Sequence, residues 1–191
     1  MTFQFKIQIK GITQPPVWRK ISMPAKCNFY DLHLAIQVAF GWENYHLFQF
    51  SPRGYGSKPV ILIPHEDDCD FGESLSVEDI KLSYIFKTEK QKFTYIYDFG
   101  DDWVHTIVLE KILPELSLYP KLLAGKGHCP PEDCGGVWGY ESLKKTLLDK
   151  ANPENKELAE WLGLEDDQTW NAAEFDLEAT QKLMMEVFAQ E

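Results

Sequence analysis

The amino-acid sequence predicts one α+β domain, a mostly antiparallel sheet with one early helix and a C-terminal group of about three helices. Residues 2–10 alternate apolar and polar side chains, as a strand with one buried face does. Apolar residues recur at helical spacing in residues 140–150, 153–162 and 176–189. Because most strands precede the helices, this order favours α+β over an alternating α/β sheet. A length of 191 residues fits a single domain over 1–191.

The composition is that of an ordinary globular protein. Hydrophobic residues make up 44% of the chain and charged residues 26%, which argues against intrinsic disorder. The N-terminal residues do not resemble a signal peptide, and the longest apolar runs, such as residues 60–63, are too short to cross a membrane. We therefore expect a cytoplasmic protein without membrane association. Its four cysteines are then expected to be reduced thiols: Cys27, Cys69, Cys129 and Cys134.

The first half of the chain predicts a hairpin followed by a helix. Residues 17–21 are expected to return antiparallel to the first strand after a turn at Pro15 and Pro16. Asn28 and Asp31 have the spacing of a helix-capping box, and Gly41 is placed to end that helix. The apolar stripe of the helix faces the core, and its polar side is expected to carry His33 and Gln37.

Shorter elements are predicted between this helix and residue 93. Residues 45–50 are expected to be extended and residues 59–63 to form a short strand. The acidic run 66–70 lacks the spacing of a calcium-binding loop and is interpreted as a solvated loop. Residues 76–80 predict a capped helical turn, followed by a strand over 81–86.

The charge is unevenly distributed. The formal net charge is −11, and residues 96–191 carry 20 acidic and 8 basic residues. An acidic chain argues against broad affinity for nucleic acid, because phosphate binding depends on clustered Lys and Arg. A local N-terminal patch remains as an alternative contact for nucleic acid, formed by Lys6, Lys10, Arg19, Lys20 and Lys26.

The most informative segment is a predicted hairpin of residues 93–99 and 103–110. A two-residue turn at Gly100 and Asp101 would place Asp98, Trp103 and His105 on one face. A slip of one residue would exchange the faces.

Two interpretations of this hairpin stay open. In one, Asp98, Asp101, Asp102 and His105 converge as metal ligands or as a carboxylate and imidazole pair that polarises water. In the other, the aspartates stabilise tight turns, the aromatic residues pack, and the histidine is a hydrogen-bonded strand residue. The second interpretation is favoured because no complete metal or catalytic spacing is present.

A second unusual segment is the loop 127–136, in which prolines and glycines define a shaped turn. Four residues separate its two cysteines, whereas zinc sites usually place two between them. A metal site would have to draw on residues that are distant in sequence. The candidates are His46, Asp98, His105, His128, Cys129 and Cys134.

Three strings of residues together resemble one known family. They are Leu32-His33-x2-Ile36-Gln37-x2-Phe40-Gly41-Trp42 with His46-Leu47, then Tyr97-Asp98-Phe99-Gly100-Asp101-Asp102-Trp103-x-His105, then Cys129-Pro130-Pro131-Glu132-Asp133-Cys134-Gly135-Gly136-x2-Gly139-Tyr140. This combination resembles the plasmid pRiA4b ORF-3-like family and extends over nearly the whole chain. The resemblance implies a single α+β domain and an association with mobile elements. It implies little about activity, since members are uncharacterised and some are labelled transposon resolvase-like.

The chain departs from the family pattern at two places. Phe48 stands where a second histidine often follows His46 and Leu47, and Asn171 and Ala172 replace a usual Asp-Pro. The first departure weakens a histidine-rich metal site. A serine recombinase also needs several arginines around its nucleophile, and the chain has only Arg19 and Arg53, so the resolvase label does not describe its chemistry.

The favoured functional expectation is a non-enzymatic binding or accessory module for a protein or a basic small ligand, with Tyr97 or Trp103 partly exposed. No cofactor is required by this expectation. The alternative is a metal-assisted hydrolase, acting on phosphodiesters for example, that uses a divalent metal and the Asp/His cluster with His46 and Glu132. The predicted recognition residues are Tyr97, Asp98, Asp101, Asp102, Trp103, His105, Glu132 and Asp133.

Overall fold

The computed structural model describes residues 1–64, 74–165 and 168–189. The predicted acidic loop 66–70 lies outside the described residues. The elements in chain order are β1 (Thr2–Ile9), β2 (Trp18–Pro24), α1 (Phe29–Phe40), β3 (Phe48–Ser51), β4 (Val60–Leu62), β5 (Ser74–Ser76), α2 (Leu82–Ile85), β6 (Lys92–Tyr97), β7 (Trp103–Leu113), β8 (Lys121–Lys126), α3 (Gly136–Leu148), α4 (Asn155–Trp161) and α5 (Leu177–Phe188).

The strands of this α+β domain form one sheet in the order β5-β4-β3-β6-β7-β1-β2-β8. All neighbouring strands pair antiparallel except β4 and β5, which are parallel. The predicted first hairpin is confirmed as β1 and β2, and the long β7 lies between β1 and β6 at the centre of the sheet. The mostly antiparallel sheet is therefore as predicted.

The alternation in β1 separates two faces of the sheet. Phe5, Ile7 and Ile9 are fully buried, whereas Lys6 and Gln8 between them are only partly buried. The buried face carries the main core, which includes the apolar side of α1. Burial of these side chains supplies most of the free energy that holds the helix against the sheet.

Helix α1 begins and ends at the predicted residues. The Asn28 side chain accepts a hydrogen bond from the Asp31 N–H while the Asp31 carboxylate accepts one from the Asn28 N–H. Gly41 ends the helix in the left-handed region, at φ 79°. The expectation that His33 and Gln37 lie on a polar side is wrong, because both are buried beneath the loop that follows the helix.

The C-terminal group of three helices is confirmed as α3, α4 and α5. Asp176 caps α5 by accepting a hydrogen bond from the Ala179 N–H, and α5 packs beside the edge strand β8. The predicted strand over 81–86 is wrong: Leu82–Ile85 form the short helix α2. Within the described residues, none of the helices has the length and apolar character needed to cross a membrane.

Two histidines lie inside the core as neutral rings. Burial lowers the pKa of His33 to about 4, opposed by its hydrogen bond to Asn44. Burial also lowers the pKa of His105 to about 3, opposed by hydrogen bonds to backbone groups of Trp103 and Tyr95. The imidazolium form is disfavoured because it would have to exist away from water.

These two groups predict a loss of stability in mild acid. In the unfolded chain they bind protons below a pH of about 6.5, so the unfolded state binds more protons than the folded state as pH falls. We expect the free energy of unfolding to fall between pH 7 and pH 5 by about 2 kcal/mol for each histidine. Urea denaturation at the two pH values measures this difference.

The variant His105→Phe removes one of the two groups and serves as the control. Whatever its absolute stability, its free energy of unfolding should fall by about 2 kcal/mol less than that of the wild type between the two pH values. An identical change in both proteins would contradict the role given to His105.

Candidate functional site

The β6–β7 hairpin has a longer turn than predicted. Tyr97 pairs with Trp103 and Tyr95 pairs with His105, so residues 98–102 form the turn. The predicted register was therefore wrong by one residue, and these four side chains share the buried face. Asp98 lies on the turn instead, where its Oδ1 accepts a hydrogen bond from the Gly100 N–H at 2.9 Å.

The correction changes the role of the hairpin aromatics. Tyr97 and Trp103 are completely buried, so the expectation that one of them is partly exposed is wrong. His105 is also completely buried, and its Nδ1 lies 2.8 Å from the Trp103 carbonyl oxygen. These residues support the site from below and do not face solvent.

The loop 127–136 is held at two points, by Trp42 and by the turn of the hairpin. The Trp42 Nε1–H, just after α1, donates to the Pro130 carbonyl oxygen at 2.9 Å. At the other end the Gly135 N–H donates to Asp101 Oδ2 at 3.1 Å. Trp42 also stacks on Tyr97, with ring centroids 4.9 Å apart. The two segments singled out in the sequence therefore meet, and Trp42 joins them.

His46 lies at the centre of this junction. Its Nε2 is 3.3 Å from Asp133 Oδ1 and 3.8 Å from Glu132 Oε2, and its Nδ1 is 3.8 Å from Asp98 Oδ1. Donor atoms of His46, Asp98 and Asp133 all lie within 4.8 Å of one another. Side chains from three separate segments thus converge with the atoms that bind metal ions.

Glu132 is held firmly at one oxygen and left free at the other. Its Oε1 accepts hydrogen bonds from the Tyr97 hydroxyl at 2.9 Å and from the Glu43 N–H at 3.0 Å. Burial, reinforced by the contact with Glu132, raises the pKa of Tyr97 well above its usual range, so the hydroxyl stays a donor. Among the described residues, neither Glu132 Oε2 nor His46 Nε2 has a hydrogen-bond partner, although both atoms are buried.

The remaining turn aspartates have other partners. Asp101 holds Gly135 as described, and Asp102 Oδ1 accepts a hydrogen bond from the Tyr55 hydroxyl at 2.9 Å. Burial, together with the contact with Asp102, raises the pKa of Tyr55 to about 12. The alternative interpretation, in which all three aspartates converge with His105, is therefore wrong, and of the three only Asp98 lies near His46. The favoured interpretation fits the structure, since Asp98 accepts a hydrogen bond within the turn and His105 is a hydrogen-bonded strand residue.

The other predicted metal ligands lie elsewhere. His128 packs against Trp170, with ring centroids 5.0 Å apart. Cys129 and Cys134 are free thiols, and burial raises the pKa of Cys134 to about 12 and that of Cys129 further. Within residues 1–64, 74–165 and 168–189, no possible metal-ligand group includes these cysteines, His128 or His105.

Arg19 does not belong to an exposed basic patch at the N-terminus, as the sequence had suggested. Arg19 is buried and donates to the carbonyl oxygens of Ala39, Lys126 and Gly127, with distances of 2.7 to 3.1 Å. Burial lowers its pKa to about 10, so it remains charged at neutral pH. Lys20 pairs with Glu110 at 2.7 Å. Arg19 therefore joins α1 to β2 and to the strand β8, and it does not lie where a phosphate backbone could reach it.

Sequence reasoning missed three supporting residues in the loop that follows α1. Trp42 and Glu43 hold the loop 127–136 through the hydrogen bonds given above. Asn44 adopts the left-handed region at φ 59°, and its Oδ1 lies 2.7 Å from His33 Nε2. A tryptophan directly after a helix-ending glycine was the available signal, but only the folded chain shows what it contacts.

The comparisons with known proteins agree with this architecture. A family profile described as plasmid pRiA4b ORF-3-like protein matches residues 1–179. The chain belongs to the plasmid pRiA4b ORF-3-like family. The uncharacterized protein y4hQ of Sinorhizobium fredii (strain NBRC 101917 / NGR234) is 38% identical over 154 residues, which cover 80% of this chain and 77% of that protein. A crystal structure of the protein of unknown function MM3350 from Methanosarcina mazei Go1 is 37% identical and has a TM-score of 0.78. The match covers 93% of this chain and 96% of that one.

The family is therefore confirmed, and both relatives are described as uncharacterised or of unknown function. Neither relative indicates a reaction, a ligand or a partner.

The close contact between the loop and the hairpin predicts the effect of a small substitution. Gly136 has a φ of 66°, and an added Cβ would lie 2.5 Å from the Asp101 backbone oxygen. We expect Gly136→Ala to lower the free energy of unfolding through left-handed strain, roughly 1–2 kcal/mol, and through a further cost of at least about 1 kcal/mol from the clash. Urea denaturation measures the total.

Gly56→Ala is the matched control for strain alone. Gly56 has a φ of 72°, and no described atom lies within 4 Å of the position of an added Cβ. Equal losses of stability in the two variants would mean that the contact between Gly136 and Asp101 is not as tight as described.

Proposed function

We propose that the protein binds a divalent cation at His46, Glu132 and Asp133, and that the bound ion activates water for hydrolysis. One observation carries the proposal: His46 Nε2 and Glu132 Oε2 are buried, lack partners among the described residues and face each other at 3.8 Å. Buried polar atoms are nearly always satisfied, and two such atoms that lie 3.8 Å apart support a ligand between them. Trp103 Nε1, His105 Nε2 and Trp170 Nε1 are also buried without a partner among the described residues, so the short separation of the pair is what supports the proposal.

The spacing suits an ion. Two donors that each lie roughly 2.1 Å from the same ion are at most roughly 4.2 Å apart. The separations of His46 Nε2 from Asp133 Oδ1 and from Glu132 Oε2 are 3.3 and 3.8 Å, long for hydrogen bonds and within that limit for each carboxylate taken with the imidazole. Among the described residues, the group whose donor atoms all lie within 4.8 Å of one another is His46, Asp98 and Asp133, so binding by Glu132 and Asp133 together requires the exposed Asp133 side chain to move. One imidazole and two carboxylates form the type of ligand set that Mn²⁺, Fe²⁺ and Zn²⁺ accept.

The surrounding groups provide the support that metal ligands usually have. Asp98 Oδ1 lies on the Nδ1 side of His46 at 3.8 Å and can orient the ring so that Nε2 faces the ion. The Tyr97 hydroxyl fixes one oxygen of Glu132 and leaves the second oxygen free to bind. These residues act through the ligands and are positioning residues.

Charge also favours a cation. The carboxylates of Asp98, Glu132 and Asp133 surround one imidazole, and the segments 41–52, 93–110 and 127–143 contain no Lys or Arg. Like charges held this closely repel one another, and an ion with two positive charges offsets that repulsion.

The exposure of the site suits hydrolysis. The Asp133 side chain is 72% exposed, so an ion bound by three protein groups would keep coordination positions open to water. A metal ion lowers the pKa of bound water and so supplies a hydroxide nucleophile near neutral pH. A closed structural site would instead surround the ion with four protein ligands.

The binding step is tested by isothermal titration of MnCl₂ and ZnCl₂ into metal-free protein that carries no His tag. We expect one ion per chain and at least a ten-fold weaker affinity for Glu132→Gln, because the substitution removes the charged ligand but keeps the side-chain shape. Glu157→Gln, an exposed site on α4, is the matched control and should bind like the wild type. The proposal fails if neither metal binds at 1 mM or if Glu132→Gln binds normally.

The positioning role of Tyr97 is tested by Tyr97→Phe, which removes only the hydroxyl that fixes Glu132. Loss of such a supporting group typically lowers metal affinity by about 10- to 100-fold. We expect a change in this range in the same titration, with little change for Tyr84→Phe on the exposed side of α2. An unchanged affinity would show that Glu132 does not need this hydroxyl.

The hydrolytic step is tested separately with bis(p-nitrophenyl) phosphate as a phosphodiester probe. Release of p-nitrophenolate should require added Mn²⁺ or Zn²⁺ and should be lost in Glu132→Gln and retained in Glu157→Gln. Metal binding without turnover would limit the function to binding, whereas turnover that persists in Glu132→Gln would exclude this site.

A further inference from the structure

The face of the sheet opposite the core is rich in lysine. Residues paired across neighbouring antiparallel strands project to the same face, so the strand registers show which side chains lie there. Lys6 of β1 pairs with Lys20 of β2 and with Val108 of β7, and Val108 pairs in turn with Lys92 of β6. Following the pairs across the sheet gives the lysines of this face, which are Lys6, Lys20, Lys92, Lys111, Lys121 and Lys126.

Acidic residues are nearly absent from the same strands. Strands β6, β7, β1, β2 and β8 contain a single acidic residue, Glu110, which pairs with Lys20 at 2.7 Å. Asp101 and Asp102 lie in the turn before β7, where they accept hydrogen bonds from the Gly135 N–H and the Tyr55 hydroxyl. The face therefore carries a net positive charge on a chain whose formal net charge is −11.

A groove of about 520 Å³ lies on this face along β1 and β7. Its polar lining is formed by Lys6, Gln8, Lys10, Thr13 and Thr106, and none of its described lining residues is acidic. Lys6, Gln8 and Thr106 lie in central strands and still keep part of their surface exposed. Ammonium, amide and hydroxyl groups are the side-chain donors that phosphate oxygens accept.

The positions of two lysines and a tryptophan favour an anionic ligand with aromatic bases. Lys6 lies directly opposite Lys20, and like charges paired in this way destabilise a sheet unless an anion neutralises them. Trp18, which is half-buried, pairs with Gln8 and Lys126 on the same face, and Lys6 Nζ lies 5.0 Å from its ring centroid. Lysines beside an aromatic ring are typical of surfaces that bind single strands. We infer that this face binds single-stranded nucleic acid.

The shape of the face favours a single strand over a duplex. Five strands separated by about 4.8 Å each span about 19 Å, whereas the major groove of DNA is about 12 Å wide. So broad a face does not enter that groove, but a flexible single strand can lie across it. An acidic protein segment would neutralise the lysines, but its carboxylates would not be attracted to the electron-rich face of Trp18.

The test measures fluorescence anisotropy of a labelled dT₁₅ oligonucleotide at several NaCl concentrations from 50 mM upward. EDTA is present throughout, because the groove shares no residue with the proposed metal ligands and its binding should not need a metal. We expect Lys6→Gln/Lys126→Gln to weaken binding at least about five-fold at 50 mM NaCl. The slope of log affinity against log salt should also become less steep by about 1.4, since each contact with a single-strand phosphate contributes about 0.7.

The matched control is Lys156→Gln/Lys182→Gln, which removes the same charge from α4 and α5. These two side chains are 81% and 79% exposed, and the variant should bind like the wild type. An equal loss in both double variants would overturn the inference, as would a wild-type protein that does not bind at 100 µM. Tighter binding of a deca-glutamate peptide or of a 15-base-pair duplex than of dT₁₅ would also overturn it.

Glu110→Gln tests the face in the opposite direction. The substitution releases Lys20 from its ion pair, so dT₁₅ should bind about two- to three-fold more tightly, a gain that a misfolded protein would not show. Glu157→Gln on α4 makes the same change in charge away from the sheet and should leave the affinity unchanged. Unchanged or weaker binding by Glu110→Gln would contradict a contact between Lys20 and the nucleic acid.

Discussion

The position of Trp42 determines how the candidate site is assembled. Its indole stacks on Tyr97 of the sheet, lies 6.0 Å from the Trp103 ring and donates its only N–H to the Pro130 carbonyl oxygen. A large aromatic side chain buries much apolar area and leaves one polar atom to be satisfied. Satisfying that atom with a carbonyl of a distant loop brings the end of α1, the central hairpin and the loop 127–136 together.

A buried polar network fixes the loop that follows α1, in which Asn44 lies. His33 lies between the Tyr95 hydroxyl at 2.8 Å and Asn44 Oδ1 at 2.7 Å, while Gln37 binds both that hydroxyl and the Asn44 N–H. Because these groups satisfy one another, burying them stabilises a single conformation. These hydrogen bonds hold the loop at Asn44, two residues before His46. The position of the imidazole is therefore set by buried side chains and not by surface contacts.

The sequence predicted much of the fold but only part of the site. Three features follow local sequence rules, and tertiary packing did not change them. They are the alternation in β1, the capping box at Asn28 and the helical spacing after residue 140. The hairpin at Tyr97 and Trp103 was predicted with the wrong register, because strand periodicity does not tell where a turn begins. A slip of one residue exchanges the two faces, and the prediction that Tyr97 or Trp103 is partly exposed was therefore wrong.

The sequence by itself determined the family, the mostly antiparallel sheet, the early helix and the three C-terminal helices, since each rests on residues close together in the chain. Only the tertiary structure decided which polar residues meet. His46, Asp98 and Glu132 come from segments that are far apart in sequence, and they converge because the order of strands places β3 beside β6 and Trp42 holds the loop above them. Local patterns specify secondary structure, whereas such convergence depends on packing between distant segments, which cannot be inferred from any one of them.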